Sequence, residues 1–371
     1  MFAGLVAPLV AAGGRGRSRP AAAPTEQVEA QRLREELFPA SLPLDPGAVP
    51  AGLFGSSAQV CASCHPTAAA TWAASAHAAP PSEALLGAAE GLPACLGCHL
   101  PLGSQSEWTY TWDGGRIDRP LAAPNAGFDA TLSIEGVTCA ACHLRGGAVV
   151  AATEAEAAQP APHPMVWSTD LGGSVGCAAC HQLTWPGAEE PLYDTWGEWK
   201  RAGFDRLGLT CQGCHLGASA DGGPVDHTMR ADPARAVTIE LSLPSTRLTR
   251  GAAPAGASVS LTNTGAGHAF PTGSPFRGVR LTATLEPAGG GDPVNVLQVD
   301  LERALQPTPP FALLGDSRLA VGETRRWDLP VAAPPGAPPG RWALRLTLRR
   351  TTRGEVHGEP FVDRRWPLVV E

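Results

Sequence analysis

Cys61-Ala-Ser-Cys64-His65, Cys95-Leu-Gly-Cys98-His99, Cys139-Ala-Ala-Cys142-His143, Cys177-Ala-Ala-Cys180-His181 and Cys211-Gln-Gly-Cys214-His215 are five copies of one pattern, and together they hold all 10 cysteines of the chain. Two thiols three positions apart reach both vinyl groups of one porphyrin, and the histidine that follows turns its imidazole onto the iron. The pattern is therefore that of covalent c-type haem attachment. Zinc sites also use Cys-x-x-Cys units, but they need no histidine at the same offset after every pair. Disulfide pairing and dithiol redox chemistry, the other uses of thiols so spaced, do not call for the histidine either. The fivefold repeat predicts five covalent haem c groups, with His65, His99, His143, His181 and His215 as the proximal iron ligands.

The motifs start at residues 61, 95, 139, 177 and 211, so successive copies are 34, 44, 38 and 34 residues apart. Such segments are too short for each haem to own a polypeptide core. The expectation is that the haems pack against one another, act as the core, and form a path along which single electrons hop.

At 371 residues the chain suggests two domains, at roughly 100 to 200 residues each. The formal charge is -7, and two propionates per haem make it more acidic, which excludes nucleic acid as a partner. Lys200 is the one lysine. Residues 1–60 read as leader and linker, rich in Ala, Pro, Gly and Arg, with a charged helical patch over Thr25–Leu37. Phe2–Ala12 is apolar, too short to span a bilayer, and similar to the hydrophobic region of a secretory signal. Arg15, Arg17 and Arg19 follow it where a signal carries its charges in front, so the start is expected to lie inside a longer signal. No cysteine precedes Cys61, which argues against a lipid anchor. Bacterial c-type haem is attached outside the cytoplasmic membrane, so the expected location is the periplasm or the outer surface.

Residues 61–235 show short helical stretches between Gly- and Pro-rich loops, as expected of an α/irregular multihaem cytochrome c domain. From about Ala236 the texture changes. Val237–Leu243, Ser258–Thr262, Val279–Leu285, Val294–Val299 and Trp342–Leu348 alternate with period two, separated by turns such as Pro287–Gly291 and Pro334–Gly340. Residues 236–371 are thus predicted to be an all-β, immunoglobulin-like sandwich of about seven strands.

Five histidines lie outside the motifs and are the candidate distal iron ligands: His77, His163, His227, His268 and His357. His77 ends an alanine-rich helical stretch and shares a helical arc with Trp72. His268 sits in the loop Asn263–Gly273, whose small residues let a large planar group approach. His227 follows the fifth motif, and His163 stands between prolines. His357 falls in an expected hairpin turn, Arg353–Gly358, and with it in solvent the set runs one ligand short. Met165 and Met229 are alternatives, each two residues from a histidine that we favour. Tyr193, Trp196, Trp199 and Phe204 read as packing, with a porphyrin face as the surface they cover.

Taken together, Cys-x-x-Cys-His followed by Trp72-x-x-Ser75-x-His77, then Glu135-Gly-Val-Thr-Cys139, then Trp196-x-Glu-Trp199 leading into Leu209-Thr-Cys211, resemble the multihaem cytochromes c related to the tetrahaem cytochrome of nitrifiers. The resemblance spans about residues 61 to 230, and the Gly267-His-x-Phe-Pro-Thr-Gly273 loop is similar to one in the β-domain of some members. It implies His77 as a distal ligand and electron shuttling as the role, although relatives include enzymes that transform hydroxylamine and nitrite. The lysine-ended motif of the ammonia-forming nitrite reductases is absent, and the tyrosine that the hydroxylamine-oxidising enzymes cross-link has no recognisable counterpart in Tyr110 or Tyr193. The expected function is single-electron transfer to redox partner proteins or other cytochromes. The alternatives are an oxidoreductase with one open haem acting on a small nitrogen or sulfur compound, and a subunit of a conducting assembly. Self-assembly and peripheral membrane association stay open.

Overall fold

The structure, a computed structural model, describes residues 44–82, 94–112, 120–152, 161–185, 188–217, 225–230 and 232–371. The Phe2–Ala12 run and the Thr25–Leu37 patch lie outside them.

The half that carries the motifs is built from short helices: α1 (Ala58–Ala62), α2 (Pro66–Ala73), α3 (Ala94–His99), α4 (Cys139–His143), α5 (Thr169–Gly172), α6 (Val175–His181), α7 (Thr195–Arg201) and α8 (Cys211–His215). Pro66 opens α2 at a position where its missing N–H is not needed. Two small sheets accompany them. Strand β1 (Trp108–Trp112) pairs antiparallel with β2 (Pro120–Pro124); β3 (Leu144–Arg145) and β4 (Ala148–Ala151) form a hairpin that β5 (Met165–Trp167) joins in parallel. The helix-and-loop expectation for this region omitted these strands. Runs of two to five residues carry too little alternation to read, and the β3–β4 turn depends on positive φ at Gly146 and Gly147. The polypeptide core here is sparse: Leu44, Leu102, Leu132, Ala140, Ala141 and Leu144 make one small cluster.

The second half holds β6 (Val237–Ser242), β7 (Arg247–Leu248), β8 (Ala255–Asn263), β9 (Arg277–Pro287), β10 (Val294–Leu301), β11 (Arg303–Leu305), β12 (Leu313–Asp316), β13 (Thr324–Val331), β14 (Gly340–Thr352) and β15 (Glu355–Val370). One sheet runs β10-β9-β14-β15-β7, a second runs β13-β8-β6, and β11–β12 is a separate pair. Every pairing is antiparallel except β15 with β7. Alternate residues face inward, so Leu281, Ala283 and Leu285 of β9 and Leu344, Leu346 and Leu348 of β14 meet Val259 and Leu261 of β8 and Leu329 of β13 in one core. All five strands read from alternation are present, and four of them are longer than expected, while β6 ends one residue earlier. The total of ten corrects the expected seven, because β7, β11 and β12 are too short to show a period. The expected turn Arg353–Gly358 is also corrected. The chain reverses in two residues, Arg353 and Gly354, at φ 51° and 79°, and His357 lies on β15 opposite Arg350, exposed.

The halves dock through α7 and the segment before it. Thr195 Oγ1 is 2.9 Å from Thr272 Oγ1, Arg303 Nη1 donates to Leu192 O at 2.9 Å, and Trp185 meets Phe311 edge to face at 5.0 Å.

Candidate functional site

Each motif occupies one helical turn. Cys139–His143 and Cys211–His215 are whole helices, Cys95–His99 and Cys177–His181 end α3 and α6, and the N–H groups of Cys64 and His65 donate to Cys61 O just past α1. A helical turn brings residues i, i+3 and i+4 to one side, so each copy presents two thiols and an imidazole together.

Polar side chains hold these turns at fixed distances from one another. The Glu135 carboxylate accepts from Ala58 N–H, at the start of α1, at 2.9 and 3.0 Å, and from Thr138 Oγ1, before α4, at 2.5 Å. Ser174 Oγ accepts from Cys211 N–H at 3.0 Å, and Gln212 Nε2 donates to Leu171 O and Gly173 O, joining α6 to α8. The thiols of joined helices meet. Cys177 donates to Cys211, which holds Cys211 down to about 6, while the same bond and burial push Cys177 up. Cys61 hydrogen-bonds Cys139 and Cys98 hydrogen-bonds Cys180, with the first member lowered and the second raised in each pair. Cys142 lies near Cys177 and Cys180. The motifs thus meet first to third, third to fourth, second to fourth and fourth to fifth. Ser174→Ala leaves the Cys211 N–H without its acceptor and is expected to lower stability by about 1 to 3 kcal/mol with the haem count unchanged. An unshifted melting midpoint of the haem-loaded protein would show that the Ser174 bond contributes nothing.

Three imidazole pairs each join one motif histidine to one outside the motifs: His181 with His77 at 6.3 Å between ring centroids, His143 with His227 at 6.2 Å, and His215 with His268 at 6.3 Å. A metal ion at roughly 2.0 Å from each of two facing imidazole nitrogens sets the ring centroids about 6.3 Å apart. The tautomers agree with this. Nδ1 of His143 lies 2.9 Å from Val150 O, Nδ1 of His227 2.8 Å from Val225 O, and Nδ1 of His268 3.0 Å from Ala269 O. A carbonyl at Nδ1 fixes the proton there and leaves the Nε2 lone pair for a metal. Burial keeps His77, His143 and His268 below the usual imidazole range and takes His181 down to about 4, so these rings stay neutral, the ligating form.

His77 is placed by an interlock between two of the quoted motifs. Trp72 Nε1 donates to Val137 O at 2.9 Å, and Val137 N–H donates to His77 O at 2.8 Å. Ser75 Oγ accepts from Ala78 N–H, and Gln105 Nε2 reaches Gly136 O at 2.7 Å. The end of α2 also docks the segment of His227, whose N–H donates to Thr71 Oγ1 at 3.1 Å, while Arg230 Nη2 donates to Ala74 O at 2.7 Å.

Among the described residues no second imidazole faces His65 or His99 at this spacing. His163 is half-buried with an unpartnered, buried Nδ1, just before β5. His357 is exposed, and Met165 and Met229 are half-buried. Near the second motif, burial pushes the Tyr193 phenol up while a hydrogen bond with Ser274 opposes it, and burial and the Arg277 charge lower His99. The side chain of Tyr110 lies outside the described residues. Gln105 and Ser174 were not singled out as site residues, and Glu198 stood only as the acid of Trp196-x-Glu-Trp199 with no role attached. The only signal was that Glu198 is an acid inside an aromatic helix.

The donor set fits haem c. Donors face one another as imidazole pairs, and among the described residues they do not gather in the groups of three or more that zinc needs. An open trough of about 380 Å³ beside the first motif is lined by Ala58, Ala62, Ala69, Trp72, Ala73 and Ile134, a surface suited to a flat apolar group.

No protein-family model matches the chain, and no curated protein matches it. Among solved structures, the penta-haem cytochrome c552 from Thermochromatium tepidum superposes with a TM-score of 0.61 at 19% identity, over 86% of this chain and 100% of that one. The likeness shows a shared fold. AvmM, which catalyses macrocyclization in alchivemycin A biosynthesis, matches 37% of this chain and 89% of its own at 11% identity and a TM-score of 0.22. The CooA pilin subunit from enterotoxigenic Escherichia coli matches 36% and 97% at 11% identity and 0.18. Both scores are too low to carry an argument.

Proposed function

We propose that the chain is a five-haem c-type cytochrome that carries single electrons outside the cytoplasm, between redox partner proteins or other cytochromes. The observation that carries this reading is the set of three facing imidazole pairs, each a motif histidine with one that the motifs do not contain. Cys61 and Cys64, Cys95 and Cys98, Cys139 and Cys142, Cys177 and Cys180, and Cys211 and Cys214 would hold the porphyrins, and His65, His99, His143, His181 and His215 the irons. His77 would close the fourth iron, His227 the third and His268 the fifth. Haem c, when bound, supplies one-electron exchange at iron. The chain's part would be to hold the nitrogens of each facing imidazole pair in place and to set the spacing of the turns through Glu135, Ser174 and Gln212. The thiol contacts give a route from the first motif through the third to the fourth, where the second and fifth branch. In this reading residues 61–235 are the haem domain, and residues 236–371 an immunoglobulin-like domain whose His268 loop closes the fifth iron. No helix among the described residues is long and apolar enough to cross a membrane.

The test is mass spectrometry of the holoprotein with paramagnetic resonance of its oxidised form. Five attached haems, with at least three of the five irons low-spin, are the expected result, and fewer than five haems would end the reading.

A second reading is favoured by one observation: among the described residues, no imidazole faces His65 or His99. An open iron at either motif would bind a small nitrogen or sulfur compound, or take its sixth ligand from a neighbouring chain in a conducting assembly. One equivalent of high-spin iron that shifts on adding nitrite or hydroxylamine would establish the former; high-spin iron that vanishes as concentration rises would establish the latter.

A further inference from the structure

We infer that Glu198 is the positioning residue of the fifth iron site, holding the His268 imidazole opposite His215; this rests on the reading of those two histidines as an axial pair. Residues 198 and 199 of α7 point about 100° apart around the helix, and each grips one side of the site. Trp199 Nε1 donates to Leu209 O at 3.0 Å, two residues before Cys211, on the side of the motif histidine. Glu198 Oε2 accepts from Ala269 N–H at 3.1 Å and from Thr272 Oγ1 at 2.8 Å, on either side of the turn that follows His268. One helix therefore references both imidazoles to each other across the junction of the two halves.

Besides the loop, the carboxylate has one charged partner. Its side chain is 8% exposed, a placement that is unfavourable for an acid unless it is paired and hydrogen-bonded. Its partner, Arg318, is 10% exposed and comes from the β-domain, with Nη2 at 2.7 Å from Glu198 Oε1. That oxygen makes no aligned hydrogen bond, so the contact with Arg318 is charge pairing, whereas the directed bonds run from Oε2 to the His268 loop. The loop is held from its other side as well, by Asn263 Nδ2 donating to His268 O at 2.9 Å. Without Glu198 the loop keeps Asn263 at His268 O and the paired Phe270 and Leu319 backbones, but the Ala269 N–H between them loses its acceptor, so the peptide that carries the ring is free to rotate away from His215.

The experiment compares the haem-loaded parent with Glu198→Ala, Glu198→Gln and His268→Ala by paramagnetic resonance of the oxidised proteins. Glu198→Ala is expected to convert one haem of the five from low to high spin with all five still attached, and Glu198→Gln, which keeps an acceptor oxygen at the same reach, to restore the parent's spectrum. The double variant Glu198→Ala/His268→Ala is expected to lose no more low-spin iron than His268→Ala alone, since both act on one iron. A Glu198→Ala spectrum that superimposes on the parent's would overturn the inference, as would a Gln variant that behaves like Ala. Should Glu198→Ala fail to accumulate with five haems, Glu198→Asp serves: its shorter reach is expected to move the g values of one low-spin haem, and unmoved values would overturn the inference too. A parent that carries no haem on Cys211 and Cys214 would overturn the underlying reading instead, and mass spectrometry of the parent separates the two failures.

Discussion

His268→Ala is expected to leave all five haems attached and to turn one of them from low to high spin. In the proposed reading, attachment at the fifth motif depends on Cys211 and Cys214, and nothing in that bond involves the loop of His268. The iron's sixth position, in the same reading, does depend on it. The two rings are 6.3 Å apart and inclined by only 15°, and the Nδ1 contact with Ala269 O at 3.0 Å leaves Nε2 aimed at the partner. Among the described residues no further histidine ring lies against this pair to take over. The change should therefore involve a full fifth of the iron, visible in paramagnetic resonance and in the charge-transfer absorption of high-spin haem. It should also weaken the hold of the β-domain, which loses an iron bond at the junction that Glu198, Thr195 and Arg303 otherwise make. A spectrum identical to the parent's would remove His268 from the ligand set. His357→Ala, on the exposed side of β15, is expected to change nothing, and serves as the control.

Gly136→Ala is expected to produce a comparable loss at the fourth iron and a large loss of stability. Gly136 has φ 60°, and a Cβ there would lie 2.4 Å from His77 O and 2.5 Å from Ala79 O, both backbone atoms that no rotamer change can move. The left-handed conformation by itself costs about 1 to 2 kcal/mol in a residue with a side chain. The clash adds the loss of the Val137–His77 and Trp72–Val137 hydrogen bonds, for a total on the order of 3 to 5 kcal/mol. His77 is pushed from its place opposite His181, so high-spin iron should appear alongside the lower melting midpoint. Gly146→Ala separates the two causes, because Gly146 has φ 57° with nothing within 4 Å of its Cβ position. It should lose only the conformational part and keep the parent's share of low-spin iron. Equal losses in the two variants would mean that the close approach to His77 is irrelevant.

The same interlock shows how far the site was legible. Trp72-x-x-Ser75-x-His77 and Glu135-Gly-Val-Thr-Cys139 stand out in the sequence as two patterns, and only in the fold do they turn out to be the two faces of one joint. His77, His227 and His268 were each marked by local context: the end of an alanine-rich helix, the sequel to a motif, a loop of small residues. His357 was misplaced because Arg353-Gly-Glu-Val-His-Gly contains two glycines, and the chain turned at the first, leaving the histidine on the strand. The long strands β9 and β14 announced themselves because each alternates inward and outward residues over many positions. β3 to β5, β7, β11 and β12 did not, because two to five residues held by pairing with distant partners have no period to display.

What the sequence determined by itself was chemistry of short range. Two thiols and an imidazole within five residues make a unit suited to porphyrin attachment that can be read locally, and alternation over a long strand commits one face to a core. The tertiary structure alone decided which imidazole faces which, which motifs touch, and that α7 braces both sides of one site. Those choices bring together residues far apart in the chain, where the entropy of closing long loops is offset only by the collective packing and hydrogen bonding of the finished fold.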